Sequence, residues 1–128
     1  MENIVVETST DKDIVDITDL VQENIGNLKN GVIVLNVLHT TSAITTADLD
    51  PGTDQDLLDF LAAIIPPVEW RHPHNPEHAP SHLLSSVIGT SVNIVVRGGI
   101  LQLGQWQRIV LVELDGPRRR NIACYTVS

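Results

Sequence analysis

A chain of 128 residues fits one domain, and its 42% of apolar residues can form a core built from Val, Ile, Leu and Ala, because aromatic residues make up only 3%. The formal net charge of −8 argues against binding to nucleic acid and to an anionic membrane, since both need positive charge on the protein. A local basic run, Arg118-Arg119-Arg120, could still hold a small anion.

The sequence also carries signals about location. Met1-Glu2-Asn3 lacks the basic region of a secretory signal, and no apolar region follows it. No apolar run approaches the roughly 20 residues of a membrane helix. Cys124 is the only cysteine and lies in an apolar stretch, so we expect a small buried side chain there. A soluble, cytoplasmic protein is the simplest expectation.

The first half of the chain predicts strands interspersed with single helices. Runs rich in β-branched residues predict strands at residues 4–8, 13–17, 32–38 and 42–47. The unbroken apolar run of residues 32–38 predicts a central strand that is buried on both faces. Thr18 is expected to cap a helix that ends near Gly26. Thr53 is expected to cap a second helix, whose apolar residues recur at helical spacing until Pro66.

The second half predicts a loop, a short helix and further strands. Three prolines predict an ordered loop up to about Pro80, where a helix begins that stops at Gly89. Strands are expected at residues 92–96, 100–103, 109–114 and 122–127. The last two are predicted to form a closing hairpin that turns near Asp115-Gly116-Pro117. The pattern predicts one α+β domain over residues 1–128, with a large mixed, mostly antiparallel sheet or sandwich and two to three helices.

Histidine provides the strongest chemical signal. Four of the five histidines lie within eleven residues, at His72, His74, His78 and His82. The fifth, His39, opens the polar run His39-Thr40-Thr41-Ser42. Imidazoles serve in metal ligation and in proton transfer near neutral pH, and Zn²⁺ would accept three of them. The alternative is a solvated loop whose histidines hydrogen-bond to the backbone.

Carboxylates and hydroxyls supply further candidates. Asp48, Asp50 and Glu113 are possible acid or base partners of the histidines. Glu113 interrupts an apolar strand; if it points inward, it should meet an arginine or a histidine, because a buried charge is costly unless paired. It could equally face outward by strand alternation. Ser85 and Ser86 could bind a phosphate, with helix capping as the alternative.

Several separate motifs resemble the YjbQ family, in the right order and over nearly the whole chain. They are His39-Thr40-Thr41-Ser42-Ala43, Asp50-Pro51, Trp70-Arg71-His72, Pro80-Ser81-His82-Leu83-Leu84-Ser85-Ser86, Gly89, Leu103-Gly104-Gln105-Trp106-Gln107 and Glu113. The resemblance implies an α+β domain that assembles as a homotrimer, with clefts lined by the matched histidines near subunit boundaries. It also implies a secondary thiamine-phosphate synthase activity, which joins hydroxymethylpyrimidine diphosphate to thiazole phosphate and releases pyrophosphate with Mg²⁺.

The resemblance suggests a role for each matched residue. The catalytic residues would be His39, His72, His82, Asp48 and Glu113. The residues that bind a small phosphorylated substrate would be Arg71, Thr40, Thr41, Ser85, Ser86, Trp106 and Gln107. A divalent metal, Zn²⁺ or Mg²⁺, could be held by His39, His72 and His82, with Glu113 orienting one of them. No organic cofactor is expected.

The chain departs from the family pattern at a few positions. Asp48 stands where many members have Glu, and Ile100 where many have Arg, although Arg97 lies close enough in sequence to substitute. His78 stands where acidic residues are common in the family, and His74 is unusual for the better-known bacterial pattern. Two alternatives to the synthase stay open: a protein that binds a metal or small anion without turnover, and a metal-dependent hydrolase of a small phosphate ester.

Overall fold

Two antiparallel sheets organise the chain in a computed structural model, which describes residues 3–73 and 75–128. The first sheet has five strands in the order β1 (Ile4–Glu7), β8 (Arg119–Val127), β3 (Gly31–Val37), β5 (Ser91–Arg97) and β6 (Ile100–Leu101). The second has three strands in the order β2 (Asp13–Asp16), β7 (Gln107–Glu113) and β4 (Ser42–Asp48). The helices are α1 (Thr18–Glu23), α2 (Thr53–Ala63) and α3 (Ala79–Ile88).

Alternating side chains place the core in two layers. Ile33, Leu35 and Ile122 of the five-stranded sheet pack against Ile109 and Leu111 of β7, so the larger apolar cluster fills the space between the sheets. On the opposite face of the three-stranded sheet, a smaller cluster packs against α2 and α3. The expected α+β fold is therefore confirmed, with the strands divided between two sheets.

The predicted closing hairpin is wrong, because β7 and β8 lie in different sheets. Both edges of β7 are occupied, by β2 and β4, and both edges of β8 by β1 and β3. Residues 114–118 carry the chain from one sheet to the other. Gly116 lies tightly in this crossing, where a Cβ would come 2.3 Å from the carbonyl oxygen of Thr10.

Several local expectations also need correction. In β3 only Ile33, Leu35 and Val37 are buried, so one face of this strand is enclosed. The strand enclosed on both faces is β7, which lies between the other sheet and the helices. Thr18 and Thr53 begin their helices as first residues, and the caps are Ile17 and Gly52. The predicted loop contains a short 3-10 turn over Pro76–His78.

Two further observations concern the positions that the sequence singled out. Cys124 is buried, as expected. No helix in residues 3–73 or 75–128 is long and apolar enough to cross a membrane. The cytoplasmic location stays a prediction. His74 and the first two residues of the chain lie outside the described part.

A buried ion pair joins the two sheets at one end of the core. Glu113 ends β7 and is 0% exposed, and Arg120 near the start of β8 is 1% exposed. Arg120 donates to both carboxylate oxygens, and Glu113 also accepts from the hydroxyl of Thr8 at 2.6 Å and from the amide of Asp115 at 3.1 Å. Desolvation would raise the pKa of Glu113, but these hydrogen bonds outweigh it and lower the pKa.

This pair should make folding sensitive to acid. Because the pKa of Glu113 is lower in the folded state, its carboxylate stabilises the fold above the unfolded-state pKa of about 4.3 and loses that effect as pH falls through the folded-state pKa. We expect Glu113→Gln to lower the free energy of unfolding at pH 7 by about 3 kcal/mol, since Arg120 stays buried and charged. Urea unfolding between pH 7 and pH 3 measures both effects.

The matched control is Glu7→Gln. Glu7 is exposed and forms a weak surface ion pair with Arg119, in which Nε and the carboxylate oxygen are 3.9 Å apart. Its effect should stay within about 0.5 kcal/mol. If Glu113→Gln kept the full acid sensitivity of the wild type, the Glu113 carboxylate would not be the source of that sensitivity.

Candidate functional site

The segment between β3 and β4 holds His39 in a defined orientation. The Nδ1 atom of His39 lies 3.0 Å from the amide nitrogen of Thr41 and 2.9 Å from its hydroxyl. A backbone N–H can only donate, so Nδ1 must accept. In neutral His39 the proton therefore resides on Nε2, by assignment from the partners of the ring. His39 is exposed and presents an N–H donor at its outer edge.

Thr41 is held in turn by Arg120. The guanidinium Nη2 donates to the carbonyl of Thr41 at 3.1 Å and to its hydroxyl at 3.0 Å. Because arginine can only donate, the hydroxyl of Thr41 accepts this bond and its own hydrogen is free to point at His39. A chain of contacts thus runs from Glu113 through Arg120 and Thr41 to His39. Glu113 touches Thr8, Arg120 and Asp115, so among the described residues it is linked to a histidine only through this series of contacts.

His82 on α3 has the opposite arrangement. Its Nδ1 lies 3.2 Å from the carbonyl oxygen of Thr40 and 3.1 Å from the hydroxyl of the same residue. A carbonyl can only accept, so Nδ1 of His82 carries the proton and donates. Neutral His82 therefore has a free electron pair on Nε2, where a proton, a hydrogen-bond donor or a metal can bind.

His72 stands against His82. The two rings are stacked with centroids 4.9 Å apart and planes 12° from parallel. Nδ1 of His72 accepts from the amide of Asn75 at 3.2 Å, which leaves its proton on Nε2. His72 and His82 are thus stacked and present a donor and an acceptor at Nε2, and His39 presents an Nε2–H on the same segment as Thr40, which contacts His82.

Buried serines hold α3 in place. The hydroxyl of Ser81 donates to the carbonyl of Leu114 at 2.9 Å, and that of Ser85 donates to the carbonyl of Ser42 at 2.6 Å. Ser86 is exposed and donates to the carbonyl of His82 at 3.3 Å. The Ser85 bond ties α3 to the start of β4, and the Ser81 bond ties it to the residue that follows β7; together they hold His82 beside Thr40. The predicted phosphate-binding hydroxyls of Ser85 and Ser86 are engaged in these structural contacts.

Partial burial and nearby charges favour the neutral form of the His39 ring. Partial desolvation lowers the pKa of His39, and the positive charges of Arg120 and Arg118 lower it further, as does His82 when its ring is protonated, against the opposing effect of Glu113. At pH 7 His39 is therefore an uncharged donor. Arg71, adjacent to His72 in the chain, is exposed.

The arginine run does not form one patch, because strand alternation separates its members. Arg120 is buried between the sheets, whereas Arg119 is exposed and lies 3.9 Å from Glu7. Arg118 pairs with Asp115 at 2.9 Å. Sequence reasoning missed the part that Arg120 plays. The alternation of Arg120 with Ile122 and Cys124 was a signal that its side chain points inward.

Asp48, Trp106 and Gln107 lie far from the histidines. In the pairing of β4 with β7, Ser42 is opposite Glu113, while Asp48 is opposite Gln107. Six residues of a strand span about 20 Å, so these residues stand at the other end of the three-stranded sheet. There they line an open depression of about 330 Å³. Trp106 is 63% exposed, at a φ of 66°.

The donor set does not fit the predicted three-histidine metal site. A histidine that binds a metal through Nε2 normally donates its Nδ1 proton to an acceptor. His82 meets this condition, but the Nδ1 atoms of His39 and His72 are occupied as acceptors. Among the described residues, no group of three or more His, Cys, Asp or Glu side chains is arranged to hold a metal ion. His78 contacts the side-chain amide of Asn75 at 3.3 Å, outside the His72–His82 stack.

Known proteins share both the sequence and the fold. A UPF0047 protein of Methanocaldococcus jannaschii is 36% identical over 118 residues, which covers 90% of this chain and 85% of that protein. The UPF0047 protein YugU of Bacillus subtilis is 30% identical, covering 98% of this chain and 96% of its own.

Solved structures of similar proteins have the same fold as this chain. A YbjQ-like protein of unknown function from Sulfolobus solfataricus superimposes with a TM-score of 0.90 at 35% identity, covering 98% of this chain and 94% of its own. A YjbQ/UPF0047 protein from Clostridium acetobutylicum gives a TM-score of 0.88 at 32% identity, covering 99% of this chain and 100% of its own. The family model described as UPF0047 protein YjbQ-like matches residues 2–128, and the chain therefore belongs to the YjbQ/UPF0047 family.

Proposed function

We propose that the site formed by His39, His72 and His82 binds the phosphate or diphosphate group of a small substrate and exchanges protons with it. The observation that carries this proposal is the arrangement of the three rings. Two neutral histidines present Nε2–H donors, which suit anionic oxygens, and His82, stacked on His72, presents an Nε2 acceptor. The two neutral rings donate hydrogen bonds and keep their protons, whereas His82 can take up a proton at Nε2 and return it.

The reaction that we propose is of the secondary thiamine-phosphate synthase type. A ring nitrogen of the thiazole phosphate forms a bond to the methylene carbon of the pyrimidine, and the bond from that carbon to the diphosphate oxygen breaks. Pyrophosphate leaves with the bonding electrons. The exposed guanidinium of Arg71 would hold the diphosphate by charge-assisted hydrogen bonds. His39 and His72 would donate to the oxygen on which negative charge develops.

Mg²⁺ would enter this site bound to the diphosphate, because magnesium usually keeps several waters and coordinates through substrate phosphates. The protein then needs no histidine metal site. This account agrees with the neutral donor states of His39 and His72.

Two other functions are weaker candidates. A hydrolase of a small phosphate ester would use His82 Nε2 to accept a proton from an attacking water. A binding protein would hold a small anion without turnover, which the exposed position of His39 also permits. Steady release of pyrophosphate from the two precursors, above the level of a His72→Ala control, rules out the binding protein. Screening other phosphorylated metabolites identifies a hydrolase.

Arg71→Ala should weaken substrate binding more than it slows turnover. A hydrogen bond to a charged group contributes about 1.5–3 kcal/mol, so we expect KM for the diphosphate substrate to rise about 10- to 100-fold. Steady-state kinetics of pyrophosphate release measures the change. Arg119→Ala is the matched control, because Arg119 is exposed beside Glu7, and its KM should stay at the wild-type value. An unchanged KM in Arg71→Ala would remove Arg71 from the site.

The untagged protein, purified without added metal, should contain far less than one equivalent of zinc per chain. The reason is that metal ligation through Nε2 would require Nδ1 protons on His39 and His72, where the amides of Thr41 and Asn75 already donate. Elemental analysis by mass spectrometry measures the content. One zinc per chain that disappears in both His39→Ala and His72→Ala would refute the proton positions assigned to these rings.

Self-association is the second part of the proposal. Within one chain, the Asp48–Trp106–Gln107 depression and the histidines are separated along β4 and β7, so they cannot line one cleft. We propose that the chain assembles as a homotrimer, in which the depression of one protomer faces the histidines of its neighbour.

Mixing two inactive variants tests this arrangement. His82→Ala and Trp106→Ala should each lose activity alone, and they should regain part of it when unfolded together and refolded, because some sites then combine both intact halves. Native mass spectrometry verifies mixed oligomers. Mixed trimers without any regained activity would show that the two clusters do not share a site.

A further inference from the structure

Arg120 is the most deeply enclosed charge among the described residues besides its partner, Glu113. Its side chain spans from β8 in one sheet to β7 in the other and to Thr41 before β4. The remaining nitrogen, Nη1, is buried and has no hydrogen-bond partner among the described residues. An unsatisfied buried donor is destabilising, because it has lost its hydration without gaining a partner.

Stability alone gives a weak reason for this residue. Buried ion pairs are often no more stabilising than apolar side chains of similar volume, because two charges must lose their hydration. What an apolar residue could not supply is the fork of donors. Nε and Nη2 bind the carboxylate of Glu113, while Nη2 also binds the carbonyl and the hydroxyl of Thr41. Lysine has one nitrogen and could not reproduce this geometry.

We propose that Arg120 is a positioning residue, which fixes His39 as the Nε2–H tautomer by holding Thr41 in place. The inference rests on the proposed function in assigning a use to that proton, namely donation to the substrate anion. Its structural part stands independently. These hydrogen bonds all point in one direction. Arg120 donates to the Thr41 hydroxyl, and the Thr41 amide and hydroxyl direct their hydrogens to Nδ1 of His39.

The charged groups around His39 come from several elements. Arg120 belongs to β8, Arg118 to the crossing before it, His82 to α3 and Glu113 to β7. Three of these groups carry or can carry positive charge and one is negative. A test must therefore separate the charge of Arg120 from its hydrogen-bond geometry.

Nitrogen NMR of the histidine rings makes this separation, since ¹⁵N shifts and one-bond couplings report which ring nitrogen carries a proton. In the wild type above the titration range, we expect His39 protonated on Nε2 and His82 on Nδ1. Arg120→Lys keeps the positive charge but loses the fork. We expect it to increase the fraction of His39 protonated on Nδ1. Thr41→Val keeps the charge and the amide but removes the hydroxyl, and it should shift His39 in the same direction by a smaller amount.

Controls keep the test decisive. Arg119→Lys alters the exposed neighbour on the same strand and should leave His39 unchanged. If Arg120→Lys does not fold, the double variant Glu113→Met with Arg120→Met replaces the ion pair by apolar residues. It should also increase the fraction of His39 that is protonated on Nδ1. Folded Arg120→Lys, Thr41→Val or double variants that all retain the wild-type ring signals would overturn the proposal.

Activity provides an independent readout. If the proposed function is correct, Arg120→Lys should lower kcat by about 10- to 100-fold, with a smaller change in KM, because His39 would present its Nε2–H donor to the developing negative charge less often. The histidine spectra need no substrate. Altered spectra without synthase activity in the wild type would leave the positioning role intact and refute the proposed reaction. Unaltered spectra in the variants of an active enzyme would refute the positioning role and leave the proposed reaction intact.

Discussion

The buried contact between Glu113 and Arg120 is the constraint on which the rest of the structure depends. It lies at the end of the core where β7 leaves one sheet and β8 enters the other, and both side chains point into the space between the sheets. Two ions in that space lose most of their hydration, so the pair is stable only with many hydrogen bonds. Thr8, Thr41 and the amide of Asp115 provide them.

The same hydrogen bonds organise the candidate site. Thr41, which satisfies part of Arg120, is also the residue that holds Nδ1 of His39. Its neighbour Thr40 holds His82 with the roles exchanged, because its carbonyl oxygen accepts a hydrogen bond from Nδ1 of His82. Two adjacent threonines therefore give two histidines opposite tautomers, one through an amide donor and one through a carbonyl acceptor. A rigid backbone segment thus determines which ring nitrogen each histidine presents.

The local distribution of charge differs from the overall acidity of the chain. The net charge of −8 is an average over the whole sequence. Around His39, the positive charges of Arg118 and Arg120 exceed the negative charge of Glu113 in their effect on the ring. Neutral imidazole donors add hydrogen bonds without adding charge. The proposed binding of a small phosphorylated molecule is therefore compatible with an overall charge that disfavours long anionic polymers.

The sequence by itself determined the main elements, the α+β class and the family. Strands and helices followed from the periodicity of apolar residues, which is a local property, and the motifs from His39 to Glu113 indicated the YjbQ family in order along the chain. It also indicated that an inward Glu113 needs a positive or histidine partner, because an unpaired buried charge is costly. The tertiary structure chose Arg120 as that partner. It separated β7 from β8, because the edges of both strands are occupied by other strands that are distant in sequence. It placed Trp106 and Gln107 away from the histidines. It also decided the proton positions of His39, His72 and His82, since a tautomer depends on which backbone groups fold against each ring, and those contacts form only when distant segments pack together.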